Sequence, residues 1–451
     1  MAVWTSILLS DIRSSFRLDS EFYKKNYLEQ DRRLSKLKCV PLGFLAKITD
    51  GEHGSVKFVC NGVKYLTAEN IKQGYVDFDY IRYVGSEVDQ RNARARVNTG
   101  DVLISIKGTL GEIGVAEDQL LPANMNRDVA IIKPFSSSSF GYFIAAFLRS
   151  FYGKYQLARE GSGGVQQMIT LERLKKIIIP LLPEEDVRSV INIYKQAFVK
   201  RQASIASYAQ AKQLLESELG LDKFHFDKPV GYAARFSELE QSRRTDAEFF
   251  NPELRYFQQE IAKYYPLRPI TDFVTILKFA NPPYSDEGLP IITQKHLGNI
   301  SPEYYGKDLF THDSWVKTNP NATIRVSDLL YYSVGAYLGK TNIWLANEKA
   351  VHASFITMLR CYDPEEAAYL HILLNSKYGL LQSKCFQSGT SQSYIYPKDI
   401  KCFLIPVVPQ SLRRRIHKLV IESYYIGEKS KQLLDQAKSR VEQLIEEAVR
   451  E

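Results

Sequence analysis

Apolar and polar residues change their rhythm several times along the chain. Between residues 40 and 183, Val63-Lys64-Tyr65-Leu66-Thr67 and Asp101-Val102-Leu103-Ile104-Ser105-Ile106 are short β-rich runs between turn-forming clusters, so they predict strands. Gly108, Gly111 and Gly114 are placed in turns after the second run. Phe140 to Tyr155 spaces its apolar residues as a helix does, and Leu174 to Pro180 predicts a closing strand. From Pro183 the period lengthens: Glu184, Glu185 and Asp186 suit a helix N-terminus. Val187, Ile191, Tyr194, Phe198, Ile205, Tyr208, Leu215 and Leu219 then alternate at three and four, with Arg201 and Lys212 on the same seam. A helix of about 35 residues would be roughly 50 Å long. Leu412, Ile416, Leu419, Ile426, Leu433, Ala437 and Leu444 mark a second such helix, interrupted at Ser423 and Ser430.

The chain is one half written twice. Arg17-Leu18-Asp19-Ser20-Glu21-Phe22-Tyr23 returns as Arg244-Thr245-Asp246-Ala247-Glu248-Phe249-Phe250, an offset of 244 − 17 = 227. Ile179-Pro180 returns as Ile405-Pro406 at 226, but Lys212-Gln213-Leu214-Leu215 returns as Lys431-Gln432-Leu433-Leu434 at 219. The loss of seven is one heptad, which shortens a coiled coil without rotating its seam. The fold class expected is therefore mixed α/β (α+β). A first domain covers 1–183, a spacer helix 184–220, a linker and second domain 221–409, and a terminal spacer helix 410–451. Neither helix is apolar enough to stand alone in water, so the two should pack on each other, antiparallel. Two unrelated surface helices are the alternative, and the shared seam phase argues against it.

Composition adds bounds. At 451 residues with 45% hydrophobic content, two or three packed domains fit. The longest apolar run near the start, Ile7-Leu8-Leu9, is too short for a signal peptide or a membrane span, so a cytoplasmic location is expected and no membrane partner. Five cysteines without a CxxC pair predict reduced thiols rather than a disulfide framework or a zinc site. A net charge of +8 favours a polyanionic partner without demanding one.

Three strings invite an enzyme reading. Asn281-Pro282-Pro283-Tyr284 spells the motif with which adenine methyltransferases hold a flipped base, but no glycine-rich cofactor loop precedes it, and the first copy has only a turn near Thr49 to Gly54. Gly335-Ala336-Tyr337-Leu338-Gly339-Lys340-Thr341 is one residue short of a P-loop. Asp399-Ile400-Lys401 has no acidic partner ahead of it, and the first copy carries Arg173-Leu174-Lys175 there. No catalytic constellation and no metal set emerges. A catalytic N6-adenine methyltransferase using Asn281 to Tyr284 remains the alternative reading.

Double-stranded DNA is the expected partner. Arg91, Arg94 and Arg96, with Lys57, Lys64, Lys107, Thr109 and Arg127, could line a phosphate-binding face, and Lys278, Lys295, His296, Lys317 and Lys340 occupy comparable loops in the second copy. The loop Gly161 to Gln167, with Gln166 and Gln167, and its counterpart Ser388 to Ser393, with Ser391 and Gln392, are rich in small polar groups. Glutamine there can read adenine in the major groove or only close a loop.

With these residues in place, the chain resembles the specificity subunit of a type I restriction-modification system. The resemblance rests on Gly100-Asp101-Val102-Leu103-Ile104-Ser105 followed by Gly108-Thr109-Leu110-Gly111, on the Gly-Ser-Gly loop, and on Ile177 to Pro183 leading into a helix. Ser327-Asp328-Leu329-Leu330-Tyr331 and Ile405 to Gln410 are looser second copies. It implies two target recognition domains, each reading half of a bipartite asymmetric site, held apart by an antiparallel coiled coil. It also implies a non-catalytic chain that carries two methylation subunits and, through them, motor-nuclease subunits. S-adenosylmethionine, ATP and magnesium would belong to those partners. A specificity subunit of a type IIB-like enzyme fits the same motifs. Half-sites one helical turn apart lie about 34 Å between centres, which a 50 Å spacer can set.

Overall fold

The chain divides into two units, Met1–Lys200 with Lys429–Glu451, and Arg201–Glu428. The computed structural model describes residues 7, 12, 17–77, 81–108, 110–161, 168–227, 229–303, 309–389 and 392–450. Thr109, Gln166, Gln167 and Ser391 lie outside them.

In the first unit a five-stranded sheet has the order Ala46–Asp50, Val129–Pro134, Val102–Ser105, Ile113–Val115, Gly74–Tyr75. Its neighbours are antiparallel except the last pair. A second sheet joins Phe58–Val59, Arg82–Val84, Val63–Leu66 and Ala123–Met125, and Cys39–Pro41 pairs with Ile178–Pro180. The other unit repeats this plan. Val274–Leu277, Ile356–Cys361, Leu329–Tyr332 and Thr341–Ile343 form one sheet, Leu309–Thr311, Leu289–Ile292 and Val351–His352 another, and Leu267–Pro269 pairs with Leu404–Pro406.

Sequence explains why these elements recur. Strand Val102–Ser105 begins after Asp101, whose carboxylate accepts the Asn98 N–H at 2.8 Å and meets Lys133 Nζ at 2.8 Å. Asp328 does the same with the Arg325 N–H at 2.8 Å and Arg360 at 3.0 Å. The residue ahead of each aspartate is left-handed: Gly100 at φ 83°, but Ser327 at φ 72°. Gln156 clamps the Ile178 backbone from both sides at 2.9 and 3.0 Å, and Gln382 clamps Leu404 at 2.7 and 3.3 Å.

Four local expectations need correction. Phe140 to Tyr155 is not one helix but two, Phe140–Arg149 and Phe151–Glu160. Ser150 is extended (φ −66°, ψ 166°) and its hydroxyl caps the second helix through the Gly153 N–H. The segment from Leu174 opens with the end of a helix, Leu171–Lys175, capped by Thr170, and only Ile178–Pro180 is strand. Gly114 sits inside a strand rather than a turn, because a Cβ there would stand 2.4 Å from the Tyr75 carbonyl. The seam of the central helix departs at one position: Tyr194, Phe198, Leu215 and Leu219 are buried as expected, but Ile205 is 39% exposed, and Val190, Ala197, Ser207 and Ala211 are buried beside them.

The long helices run Glu184–Leu219 and Gln410–Arg450. In the first unit Arg440 reaches Asp186 at 3.3 Å, and the Ser430 hydroxyl donates to the Ala197 carbonyl at 2.7 Å. In the second unit Ser204 and Ser423 donate to each other's carbonyls at 2.7 and 2.6 Å, and Ser207 donates to Leu419 at 3.2 Å. The residue numbers of every pair add to 626 or 627, which is the signature of antiparallel helices. Ser423 and Ser430 are therefore contacts of the seam, not interruptions of it. Ser204 and Ser423 also differ by 219, the offset of the helical repeat, so the two copies of one position meet each other.

Each helix stretch is welded to its own unit. Tyr194, buried among Tyr142 and Phe198, donates to the Gly74 carbonyl at 2.7 Å, and Arg149 donates to the Leu434 carbonyl at 3.0 Å. In the second unit Tyr208 lies 3.0 Å from Nε2 of the fully buried His371. Burial drives the His371 pKa down to about 3 and that of His352 to about 4.

Two predictions follow from these packing facts. Replacing Ser327 by glycine removes a left-handed side chain and should raise stability by about 0.5–1 kcal/mol, whereas Asp328→Ala, which strands Arg360, should cost roughly 3–5 kcal/mol; urea titration of each variant reads both. Both histidines are less basic folded than unfolded, where a value near 6.5 is ordinary. Their neutral forms support the fold fully above that pH, and the support is lost as pH falls from about 6.5 towards 4. Stability should therefore drop on acidification by ~1.4 kcal/mol per pH unit for each histidine. A His352→Gln, His371→Gln chain whose urea midpoint keeps the wild-type pH slope in that window would contradict the assignment.

Candidate nucleic-acid interface

In the second unit several loops converge at one end of the strands. Lys278, just after strand Val274–Leu277, turns its ammonium onto Ser333 Oγ at 2.8 Å, the Ile356 carbonyl at 3.2 Å and Thr357 Oγ1 at 3.2 Å. The stem of Lys278 is exposed, but loss of water around the ammonium lowers its pKa to about 8. Asn281 Oδ1 accepts the Ser354 N–H at 2.7 Å, so the NPPY string is an irregular loop whose asparagine oxygen is already engaged. Val334 bridges to Tyr394, Ser388 and Tyr394 exchange backbone bonds at 2.8 and 2.9 Å, and the Gly335 N–H donates to the Ser393 carbonyl at 2.9 Å. Around Gly335, which is left-handed at φ 82°, stand two amides, Gln294 and Gln392.

The cationic candidates fall into three surroundings. Arg91, Arg94 and Arg96 are each tied to an acid: Glu52 at 2.9 Å, Asp50 at 2.8 Å and Asp89 at 2.7 Å. Arg94 also donates to Thr49 Oγ1 at 2.7 Å and the Gly51 carbonyl at 3.1 Å, which locks the polar stretch onto the end of strand Ala46–Asp50. The Gly54 N–H, then the Asn92 amide and Arg91, hold Glu52 down to about 2. Lys64, Lys278 and His296 serve the backbone. Lys64 Nζ approaches the carbonyls of Gln119 and Leu121 at 3.2 and 3.4 Å. His296 is buried and caps Thr293, as Asn70 caps Thr67 in the first unit. Lys57, Arg127, Lys295 and Lys317 are exposed, and Lys107 and Lys340 are half-buried. Among the described residues, Lys57 and Arg127 have no side-chain ion pair.

Sequence reasoning missed Gln294. Its counterpart in the first copy is Ala68, one residue after the capping threonine, so the repeat gave no signal there. The exposed Tyr284, Tyr337 and Phe355 on the same loops were missed as well. Among the described residues no group of acids, histidines and cysteines is arranged to hold a metal, and no helix is long and apolar enough to cross a membrane.

Comparison with known proteins gives one sequence relative to report. No protein-family model matches the chain. A stretch of 138 residues, 31% of this chain, is 25% identical to the specificity subunit of the type I restriction enzyme EcoBI of Escherichia coli and covers 29% of it, so the match spans under a third of that relative's length. The chain is also similar to the solved S subunit of a type I restriction-modification system from M. genitalium, at 12% identity over 91% of this chain and 95% of that one, with a TM-score of 0.40. For the HsdS subunit from Thermoanaerobacter tengcongensis the figures are 17%, 92%, 97% and 0.28. The resemblance read from the sequence motifs is borne out: the matched relative is a type I specificity subunit.

The three surroundings predict different responses to mutation. Lys57→Ala and Arg127→Ala should each flatten the dependence of log affinity on log salt by about one counterion while leaving stability unchanged. Lys278→Ala should leave that slope alone and lower the urea midpoint. Duplex binding by the full-length chain from 50 to 200 mM salt, with urea melts of the same preparations, measures both; a slope change for Lys278→Ala alone would reverse the assignment.

Proposed function

We propose that this chain is the DNA sequence-specificity subunit of a type I restriction-modification complex. Each globular domain reads one half of a bipartite, asymmetric site, and the antiparallel helices set the spacing and dock two methylation subunits. Motor-nuclease subunits join through those, and S-adenosylmethionine, ATP and magnesium act in the partners, leaving this chain non-catalytic. The observation that carries the reading is the duplicated domain, each copy sharing its core with its own stretch of one helix pair in a single register. A single-chain adenine methyltransferase is disfavoured by Asn281, whose side-chain oxygen is already held by the Ser354 N–H.

The test is a genome-wide map of N6-methyladenine in cells with and without the gene, in which an interrupted two-part motif should vanish on deletion. The helix register refines a ruler test. A heptad removed from 187–215 must be matched by its antiparallel mates, so residues 201–207 are deleted together with 420–426, pairs that again add to 627. Seven residues shorten the helices by about 10 Å, or roughly three base pairs at 3.4 Å each. The methylated motif should keep both halves and lose that much gap. An unchanged gap with methylation intact would sink the ruler.

A further inference from the structure

Two side-chain amides stand over one glycine in the second unit. A Cβ built on Gly335 would lie 3.5 Å from Gln294 Nε2, 3.7 Å from Gln294 Oε1 and 4.0 Å from Gln392 Nε2. Both amides therefore lie within van der Waals reach of one point above the glycine, close enough to meet neighbouring groups of one partner. Neither amide is loosely hung. Gln294 Nε2 donates to the Val334 carbonyl, which leaves the amide oxygen and one N–H of Gln294 for a partner. Gln392 lies next to Ser393, whose carbonyl takes the Gly335 N–H at 2.9 Å, and the Ser388 to Tyr394 backbone pair closes the loop behind it. The side chain of Gln392 itself is exposed.

We infer that this pair is a base-reading device: Gln392 reads an adenine, and Gln294 hydrogen-bonds the base at an adjacent position. The inference rests on the proposed DNA-reading role and adds the identity of the bases. Adenine presents N7 as an acceptor and N6–H as a donor in the major groove, which matches one free carboxamide in two parallel bonds. The oxygen and second N–H of Gln294 add one acceptor and one donor for the base edge at the adjacent position. In the first copy Ala68 stands where Gln294 does, so the Gln294 amide has no counterpart there. The two half-sites are accordingly read by different chemistry.

The experiment maps N6-methyladenine motifs in cells carrying the full-length chain as wild type, Gln392→Ala, Gln392→Glu or Gln294→Ala, with circular dichroism of each purified chain. Gln392→Ala should relax one adenine position by roughly 10-fold to 100-fold, and Gln392→Glu, an acceptor only, should move that position towards cytosine. Gln294→Ala should relax a neighbouring position of the same half-site, while the other half stays as it was. Variants that leave every position unchanged, that alter the opposite half, or that abolish methylation although folded overturn the inference. A wild-type chain whose presence leaves no methylation motif overturns the DNA-reading role itself, a result distinct from any of these.

Discussion

The close approach of the two long helices is the constraint on which the rest of the molecule depends. Ser204 and Ser423 donate hydroxyls to each other's carbonyls, and Ser430 does so to Ala197. A helical carbonyl has a second lone pair beyond its own N–H partner, but a hydroxyl reaches it only where backbones lie nearer than a leucine seam permits. Each bond contributes about 1 kcal/mol, a modest sum. Their larger effect is on register. Apolar side chains repeat every heptad and would tolerate a slip of seven with little loss, whereas hydroxyl and carbonyl pairs match in one alignment alone. Because each domain core contains helix residues, Tyr194 and Phe198 in one and Ala211 and Leu215 in the other, fixing the register also fixes which helix residues each core receives.

Comparison of the copies separates scaffold from surface. Retained positions satisfy backbone or buried charge: Asp101 with Lys133 and Asp328 with Arg360, Gln156 and Gln382 on their strands, Ser150 and Ser376 at helix starts. An unmet buried donor costs about 1–3 kcal/mol, so such positions change only with their partners. Positions at the loop ends diverge more freely, as Ala68 against Gln294. The copies thus share one scaffold and differ at their loop ends.

Much of this was legible in the sequence: the repeat, the mixed α/β class, the two long helices and their antiparallel pairing, and the interference of the NPPY and P-loop-like strings. What was not legible has a common cause. Apolar periodicity cannot mark the part of a seam made of alanine and serine, so Ile205 was placed where Ser204 and Ser207 make the contact, although Tyr194, Phe198, Leu215 and Leu219 were placed correctly. A single serine cap breaks Phe140 to Tyr155 without disturbing its pattern. The arginine cluster looked free because Glu52 lies 39 residues before Arg91, and ion pairs between distant segments leave no local trace. Gln294 had no counterpart to flag it.

Charge by itself is a poor guide to which residues face DNA. Where the first copy ends its edge strand on Asp50, bound to Arg94 and His53, the second continues past Leu277 to Lys278, bound to Ser333 and Thr357. The sign reverses between copies, yet both side chains close the end of a sheet and neither offers its charge outward. A net charge of +8 therefore overstates the cations available to phosphate, since many are spent inside the domains. On the proposed reading, contact with a partner falls to groups whose bonding capacity is left over after folding, such as the exposed amide of Gln392, the amide oxygen of Gln294 and the exposed cations of Lys57 and Arg127. Leftover capacity, rather than residue type, is the physical criterion for a reading surface on this scaffold.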